Sequence, residues 1–338
     1  MALLYKPLTD NEALESIKTV GALNKEIASR FPDLSKIRLI AWASDLHLHP
    51  PAGYSFGFDG IYKHIDCTRQ YSLCLHEINA LEKTPDLIVL GGDITEMGMA
   101  EEWKEFGRIM KLGINRVPTL PVFGNHEHLK LPARDEMLKI WQEIRQTGWP
   151  DLDDPNEFYY SVVVNDIKHI VLDTVKLPGV VMSDRQKEFL AVELKDDSRM
   201  AVIYLHAHIM PAGNWTDGGL YLDRGMIDLI NDSPHVLGVF SGHTHKSSLW
   251  KYLGKYYGTF PSVGYSIGDC TGWGGIIIDD QGIRGVFCKA LHGESYDDCT
   301  GGRVQEGGFE FLAPRSFERD PRLNPFFWYR HPDPSKRG

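Results

Sequence analysis

Five short apolar runs punctuate this chain, and each stops at Asp, Asn or His. They are IRLIAWAS (37–44), DLIVL (86–90), TLPVF (119–123), AVIYL (201–205) and HVLGVFS (235–241). Runs so nearly free of polar residues describe strands buried on both faces, because a half-exposed strand would alternate apolar with polar. Such strands need helices or a second sheet over each face, which commits the chain to a layered α/β architecture.

The segments between the runs supply that cover. The stretch from Asp10 to Arg30 predicts a helix capped by Asp10. Between Thr68 and Lys83 the residues Tyr71, Cys74, Leu75, Ile78 and Leu81 share one helical face. Between Ala100 and Leu112, Trp103, Phe106, Ile109 and Met110 do the same. The order β-α-β-α-β follows. The second half has a different pattern. There FYYSVVV, Asn165-Asp166 and IKHIVLD predict a β-hairpin, and Ser183 with Gln186 forms a capping box opening a helix to about Leu194. From Ser247 onward the pattern is antiparallel, so the sheets are mixed. Trp103, Trp141 and Phe189 read as core anchors.

Composition excludes several functions. A net charge of -10 over 338 residues repels polyanions, so nucleic acid is not an expected partner. No apolar stretch approaches the roughly 20 residues that span a bilayer, so neither is a membrane. The opening MALLYKPLTDNEALESIK lacks the basic start and apolar run of a secretory signal. The five cysteines, Cys67, Cys74, Cys270, Cys288 and Cys299, form no C-x-x-C pair, which suits a reducing compartment. A cytoplasmic protein is expected.

The polar residues at the run ends are Asp45 and His47, then Asp93, then Asn125, His126 and Glu127, then His206, then His243 and His245. Ligands of sheets with helical crossovers collect beyond the carboxyl ends of the strands, so these groups are expected to meet. The spacing of Asp45-x-His47 and of His243-x-His245 would point both side chains of each pair the same way along an extended segment. Asp45, His47, Asp93, Asn125, His206, His243 and His245 offer imidazole, carboxylate and amide oxygen, donors that suit Mn, Fe, Co or Zn. Seven donors exceed the needs of one such ion. Two ions about 3.5 to 4 Å apart account for them if Asp93 bridges.

The motifs SDLH, GGD, GNHE, LH and SGHTH, in that order, resemble the calcineurin-like metallophosphoesterase superfamily. PDLIVLGGDITEMGMAEEW, FYYSVVVNDIKHIVLDT and SDRQKEFLAVEL also look like its connecting segments, so the likeness spans residues 37–290. It implies a four-layer αββα sandwich with two mixed β-sheets over 37–290. Residues 1–36 would form a helical extension, and 291–338 a tail packing on the domain or on a partner subunit of a homo-oligomer. It also implies one ion on Asp45, His47, Asp93 and His245 and a second on Asp93, Asn125, His206 and His243. In such enzymes a metal-bound hydroxide attacks phosphorus in line with the leaving oxygen. His126 would steady the phosphate or protonate the leaving alkoxide, with Glu127 orienting its ring. His128 has no assigned role.

Departures narrow the class. Purple acid phosphatases carry a tyrosinate where Glu96 stands, and protein Ser/Thr phosphatases need an Arg-containing second motif that GGDITEMG lacks. The remaining likeness is to the cyclic-nucleotide and glycerophosphodiester phosphodiesterase branch, hence a small phosphodiester substrate. No arginine cluster for a terminal phosphate is evident, which favours a diester over a monoester. A phosphomonoesterase or nucleotide phosphatase on the same site stays open, as does a catalytically silent metal-binding scaffold. A nuclease of this fold would want a basic track. Specificity is expected from the aromatic loops 49–66 and 210–221, with Tyr54, Phe56, Phe58 and Trp215 as contacts for the organic group. His49 and His208 either face the same cleft or are loop histidines satisfied by backbone. Glu96 is either a substrate contact or, more simply, a solvated loop carboxylate.

Overall fold

The apolar runs become neighbouring strands of two sheets. The structure, a computed structural model, describes residues 9–49, 66–111, 117–129, 134–152, 158–176, 179–180, 182–210, 212, 224–265, 270–292, 295–297 and 303–316. The first half runs α1 (Asp10–Arg30), β1 (Arg38–Ala43), α2 (Cys67–Asn79), β2 (Leu87–Leu90), α3 (Ala100–Lys111), β3 (Thr119–Pro121) and α4 (Arg134–Ile144). A hairpin of β4 (Tyr160–Val164) and β5 (Ile167–Val171) follows, then the short β6 (Val175–Lys176) and β7 (Gly179–Val180), α5 (Asp184–Glu193), β8 (Ala201–Tyr204), α6 (Arg224–Asp232) and β9 (Val236–Ser241). The chain continues through β10 (Ser248–Tyr252), β11 (Lys255–Thr259), β12 (Gly272–Asp279), β13 (Gly282–Ala290), β14 (Ser295–Asp297), β15 (Arg303–Glu306), β16 (Phe309–Phe311) and β17 (Arg315–Ser316).

One sheet has the order β16-β13-β12-β1-β2-β3, the other β17-β10-β11-β9-β8-β5-β4. In the first, β1, β2 and β3 are parallel while β12, β13 and β16 run antiparallel. In the second, β5, β8, β9 and β11 are parallel. Both sheets are therefore mixed. Side-chain alternation shows how they stack. Ala201 and Ile203 of β8 pack outward with Leu190 of α5 and with Met226, Ile227 and Ile230 of α6. Val202 and Tyr204 point the other way, into the cluster that holds Trp42, Phe240 and Phe260. There Trp42 stacks on Phe260 at 5.1 Å and reaches Tyr204 at 5.9 Å, so the sheets meet face to face. Leu23 and Ile27 of α1, Leu75 and Ile78 of α2, Trp103 and Phe106 of α3, and Trp141 of α4 belong to the same cluster. Helix, sheet, sheet and helix make the layers of an α/β sandwich. Truncating Trp42 to Ala would cost about 3–5 kcal/mol, the usual penalty for emptying a buried aromatic site.

Two caps differ from their sequence reading. The first helix starts one residue earlier than Asp10 implies. Thr9 is the N-cap, its hydroxyl accepting the Glu12 amide at 3.3 Å while the Glu12 carboxylate accepts the Thr9 amide at 2.9 Å. At α5 only half of the capping box forms. Ser183 accepts the Gln186 amide at 3.2 Å, but the Gln186 side chain turns to the backbone of Asp173. Burial explains the choice, because Asp173 N–H and C=O have to be satisfied away from water.

Beyond Ala290 the chain extends both sheets, β16 pairing with β13 and β17 with β10. Residues 317–338 lie outside the described residues, as do most of the two aromatic loops, including Tyr54, Phe56, Phe58 and Trp215. Among the described residues no helix is long and apolar enough to cross a membrane. Cys67 and Cys74 are buried free thiols, and Cys270 and Cys288 are buried as well.

Candidate metal centre

Parallel strands place their carboxyl ends together. Asp45 and His47 follow β1, Asp93 follows β2, and Asn125 and His126 follow β3, all in one sheet; His206 follows β8, and His243 and His245 follow β9 in the other. The paired residues do not lie in extended strand, however. Strands β1 and β9 end at Ala43 and Ser241, and Asp45, His47, Asp93, His243 and His245 take positive φ of 53, 47, 48, 70 and 55°. The left-handed region is costly for residues with a Cβ, by about 1–2 kcal/mol each. Backbone pairing between the first two loops offsets that cost. Asp45 N–H donates to Gly92 C=O, His47 N–H to Asp93 C=O and Leu48 N–H to Ile94 C=O, each at 2.9 Å, and Glu96 N–H returns to Leu48 C=O at 3.1 Å.

The motif glycines make room for this convergence. A Cβ on Gly124 would lie 2.1 Å from Asp93 Oδ1. Gly92, at φ 96°, passes so close to His206 that a Cβ would lie 2.3 Å from its Nδ1. Any side chain at either position would push a candidate ligand away.

Three overlapping groups of donors result. Ligand atoms of Asp45, His47 and His245 lie within 4.8 Å of one another, as do those of Asp93, His206 and His243. Asp93 stands between them. Its Oδ2 is 3.1 Å from His206 Nε2 and 3.9 Å from Nε2 of both His47 and His126. On the other side His245 Nε2 is 3.4 Å from Asp45 Oδ1 and 3.3 Å from His47 Nε2. His126 also completes a triad with His47 and Asp93. Asn125 Oδ1 is buried without a hydrogen-bond partner among the described residues, an arrangement that a cation would satisfy. The donors present therefore suit metal binding.

Electrostatics agree. Burial opposes ionisation of Asp93, yet the rings of His206, His126 and His47 hold its carboxyl well below the ordinary range. Asp45 is held low in the same way, burial being outweighed by His245 and His206. His206 is raised to about 10 against its own burial by Asp93 and Asp45, whereas burial and then His206 push His243 down to about 3. A cluster that draws a proton onto a fully buried imidazole favours positive charge. Nδ1 of His206 faces Gly91 C=O at 2.8 Å and that of His245 faces Tyr265 C=O at 2.9 Å, leaving each Nε2 for the centre.

Two side chains depart from their sequence reading, and a third, His128, gains a role. Glu127 does not orient the His126 ring, whose Nδ1 instead makes a short contact with the Glu96 carbonyl. The buried Glu127 carboxylate accepts Asp93 N–H at 2.9 Å, Gly124 N–H at 2.7 Å, and Thr95 N–H and hydroxyl at 2.9 Å each. It clamps the second motif onto the third, because four convergent donors attract a buried carboxylate more strongly than one imidazole does. Glu96 is no solvated loop residue. It is largely buried, with Oε2 2.8 Å from His47 Nδ1. His128, unassigned from sequence, is buried with Nε2 2.8 Å from Asp173 Oδ1, which ties the third loop to the end of β5. The side-chain directions of Glu96 and Glu127 have no signature in the sequence; their nearness to GGD and GNH was the available hint.

His208 is buried beside the centre, its ring 5.9 Å from that of His243 and inclined by 28°. His49 is partly buried where the described part of the first loop ends. Tyr265, which the sequence did not single out, packs its ring 4.4 Å from His47 and 4.9 Å from His245.

Comparison with known proteins gives a consistent picture. The glycerophosphodiester phosphodiesterase GpdQ of Enterobacter lignolyticus is 24% identical over 239 residues, covering 69% of this chain and 80% of that one. A probable glycerophosphodiester phosphodiesterase GpdQ of Arcobacter nitrofigilis is 28% identical over 203 residues, 57% of this chain and 69% of its own. Among solved structures, a dimetal phosphatase from Danio rerio superposes with a TM-score of 0.56 at 14% identity, over 82% of this chain and 99% of that one, a likeness of fold. The family model for calcineurin-like phosphoesterases matches residues 39–247, which span all seven candidate metal ligands, and the chain belongs to that family.

Proposed function

We propose that this chain is a dinuclear metal-dependent phosphodiesterase acting on a small phosphodiester of the cyclic-nucleotide or glycerophosphodiester type. The observation that carries the reading is the pair of donor groups around Asp93, with ligand atoms within 4.8 Å in each group, together with the unpartnered Asn125 oxygen. In this reading Asp45, His47, Asp93 and His245 hold one ion and Asp93, Asn125, His206 and His243 the other. Ions such as Mn, Fe or Zn would supply Lewis acidity and lower the pKa of water there.

The chain's own groups would do the rest. His126 has its Nδ1 at the Glu96 carbonyl, so Nε2 is the nitrogen available to substrate. That nitrogen lies 3.9 Å from Asp93 Oδ2, at the edge of the donor cluster, where it would protonate a leaving alkoxide. Two curated relatives carry the name glycerophosphodiester phosphodiesterase, which supports a diester. Buried free thiols support a reducing compartment, and we place the protein in the cytoplasm.

The test is turnover of bis-p-nitrophenyl phosphate and of p-nitrophenyl phosphate by the purified protein in Mn²⁺. Faster diester turnover is expected. Faster monoester turnover would make the site a phosphomonoesterase, and inertness toward both with two ions bound would leave a silent scaffold.

A further inference from the structure

We propose that Glu96 is a positioning residue, holding His47 as an Nε2 donor and placing a second negative charge behind the ion bound on the Asp45, His47 and His245 side. The inference rests on the dinuclear reading above. Its basis is a difference between imidazoles. His206 and His245 present Nδ1 to main-chain carbonyls, whereas His47 presents Nδ1 to the Glu96 carboxylate at 2.8 Å. A carboxylate behind a ligating imidazole fixes its tautomer and makes it a stronger donor than a carbonyl does. The arrangement is built rather than incidental. Glu96 N–H is anchored to Leu48 C=O at 3.1 Å, next to the loop that carries His47, and Thr95 before it is clamped by Glu127.

Glu96 also acts through its main chain. The same residue offers its carbonyl to His126 Nδ1, so one backbone position sets the tautomer of a ligand and of the proton donor. A side-chain substitution removes the carboxylate from His47 at 2.8 Å and leaves the carbonyl at His126, whose Nδ1 the same carboxylate approaches only to 3.9 Å. The carboxylate is thus specific to one ion, and its loss should be felt unequally by the two.

The experiment titrates the wild-type chain, Glu96→Ala and Glu96→Gln with Co²⁺ and follows its visible absorption. Glu96→Ala is expected to weaken one of the two binding events by about ten- to a hundredfold and to alter the spectrum of that ion alone. Glu96→Gln, whose amide oxygen can still accept from His47 Nδ1, should restore much of the loss. Unchanged affinity and spectrum for both ions in Glu96→Ala would overturn the proposal. Uptake of fewer than two ions by the wild-type chain would instead defeat the dinuclear reading. The His47 Nδ1 proton then decides the positioning role independently in ¹⁵N-edited spectra. Slow exchange in wild type and fast exchange in Glu96→Ala supports it, and equally slow exchange in both refutes it.

Discussion

Glu127 and Glu77 are both fully buried carboxylates surrounded by donors, yet they sit in regions built for opposite ends. Glu77, on α2, accepts from Ser16 Oγ of α1 at 2.9 Å, Trp273 Nε1 of β12 at 2.7 Å and His292 N–H at 3.1 Å, and it pairs with the buried Lys289 ammonium of β13 at 2.9 Å. Its charge is cancelled where it stands, which pins two helices to a sheet. Among the described residues Glu127 has only neutral donors, and burial and the nearby Asp93 both push its carboxyl up. Negative charge is thus left in excess at the strand ends and balanced at the helix seam. An excess of buried anionic groups is stable only beside something positive, which is how a cation site differs from a structural ion pair.

That contrast can be broken most forcefully at the bridge. Asp93→Asn should abolish metal occupancy by elemental analysis and take turnover to background, while a metal content equal to wild type would remove Asp93 from the bridging position. His126→Ala should keep both ions and lower diester turnover by about a hundred- to ten-thousandfold, as loss of a general acid does. Retained turnover would leave His126 a bystander.

The seam should answer in stability alone. Lys289→Met strands Glu77 as an unpaired buried charge, and denaturant unfolding should show a loss of about 3–5 kcal/mol with two ions still bound per folded chain. Loss of metal binding in that variant would mean that the two regions are coupled. Glu127→Gln keeps one acceptor oxygen and turns an amide toward backbone donors, so stability should fall by about 1–3 kcal/mol, this time together with metal affinity.

The effect on pH dependence is gradual. Burial raises the Glu102 carboxyl to about 7, with Glu96 and Glu127 adding to the rise and the Met99 and Met97 amides opposing it. The folded chain then holds a proton that the unfolded chain releases near 4.5, so stability should decline as pH rises between these values, by at most about 1.4 kcal/mol per pH unit. In Glu102→Gln that slope should vanish; a slope unchanged from wild type would place its origin elsewhere.

Much of this was legible in the chain before any tertiary contact was known. Strand runs such as DLIVL and AVIYL declared themselves because both-face burial removes polar residues, and the helices on Tyr71 and Trp103 followed from their spacing. The candidate ligands were legible because strands of like direction end together, so residues distant in sequence share one edge. The left-handed turns at Asp45 and His243 were hidden, since an Asp or His takes that conformation only when neighbouring loops hold it there. Hidden too were the partners of Glu96, Glu127 and His128. A buried carboxylate or imidazole goes to whichever donors the packed layers bring within about 3 Å, and that choice is a property of the assembled fold.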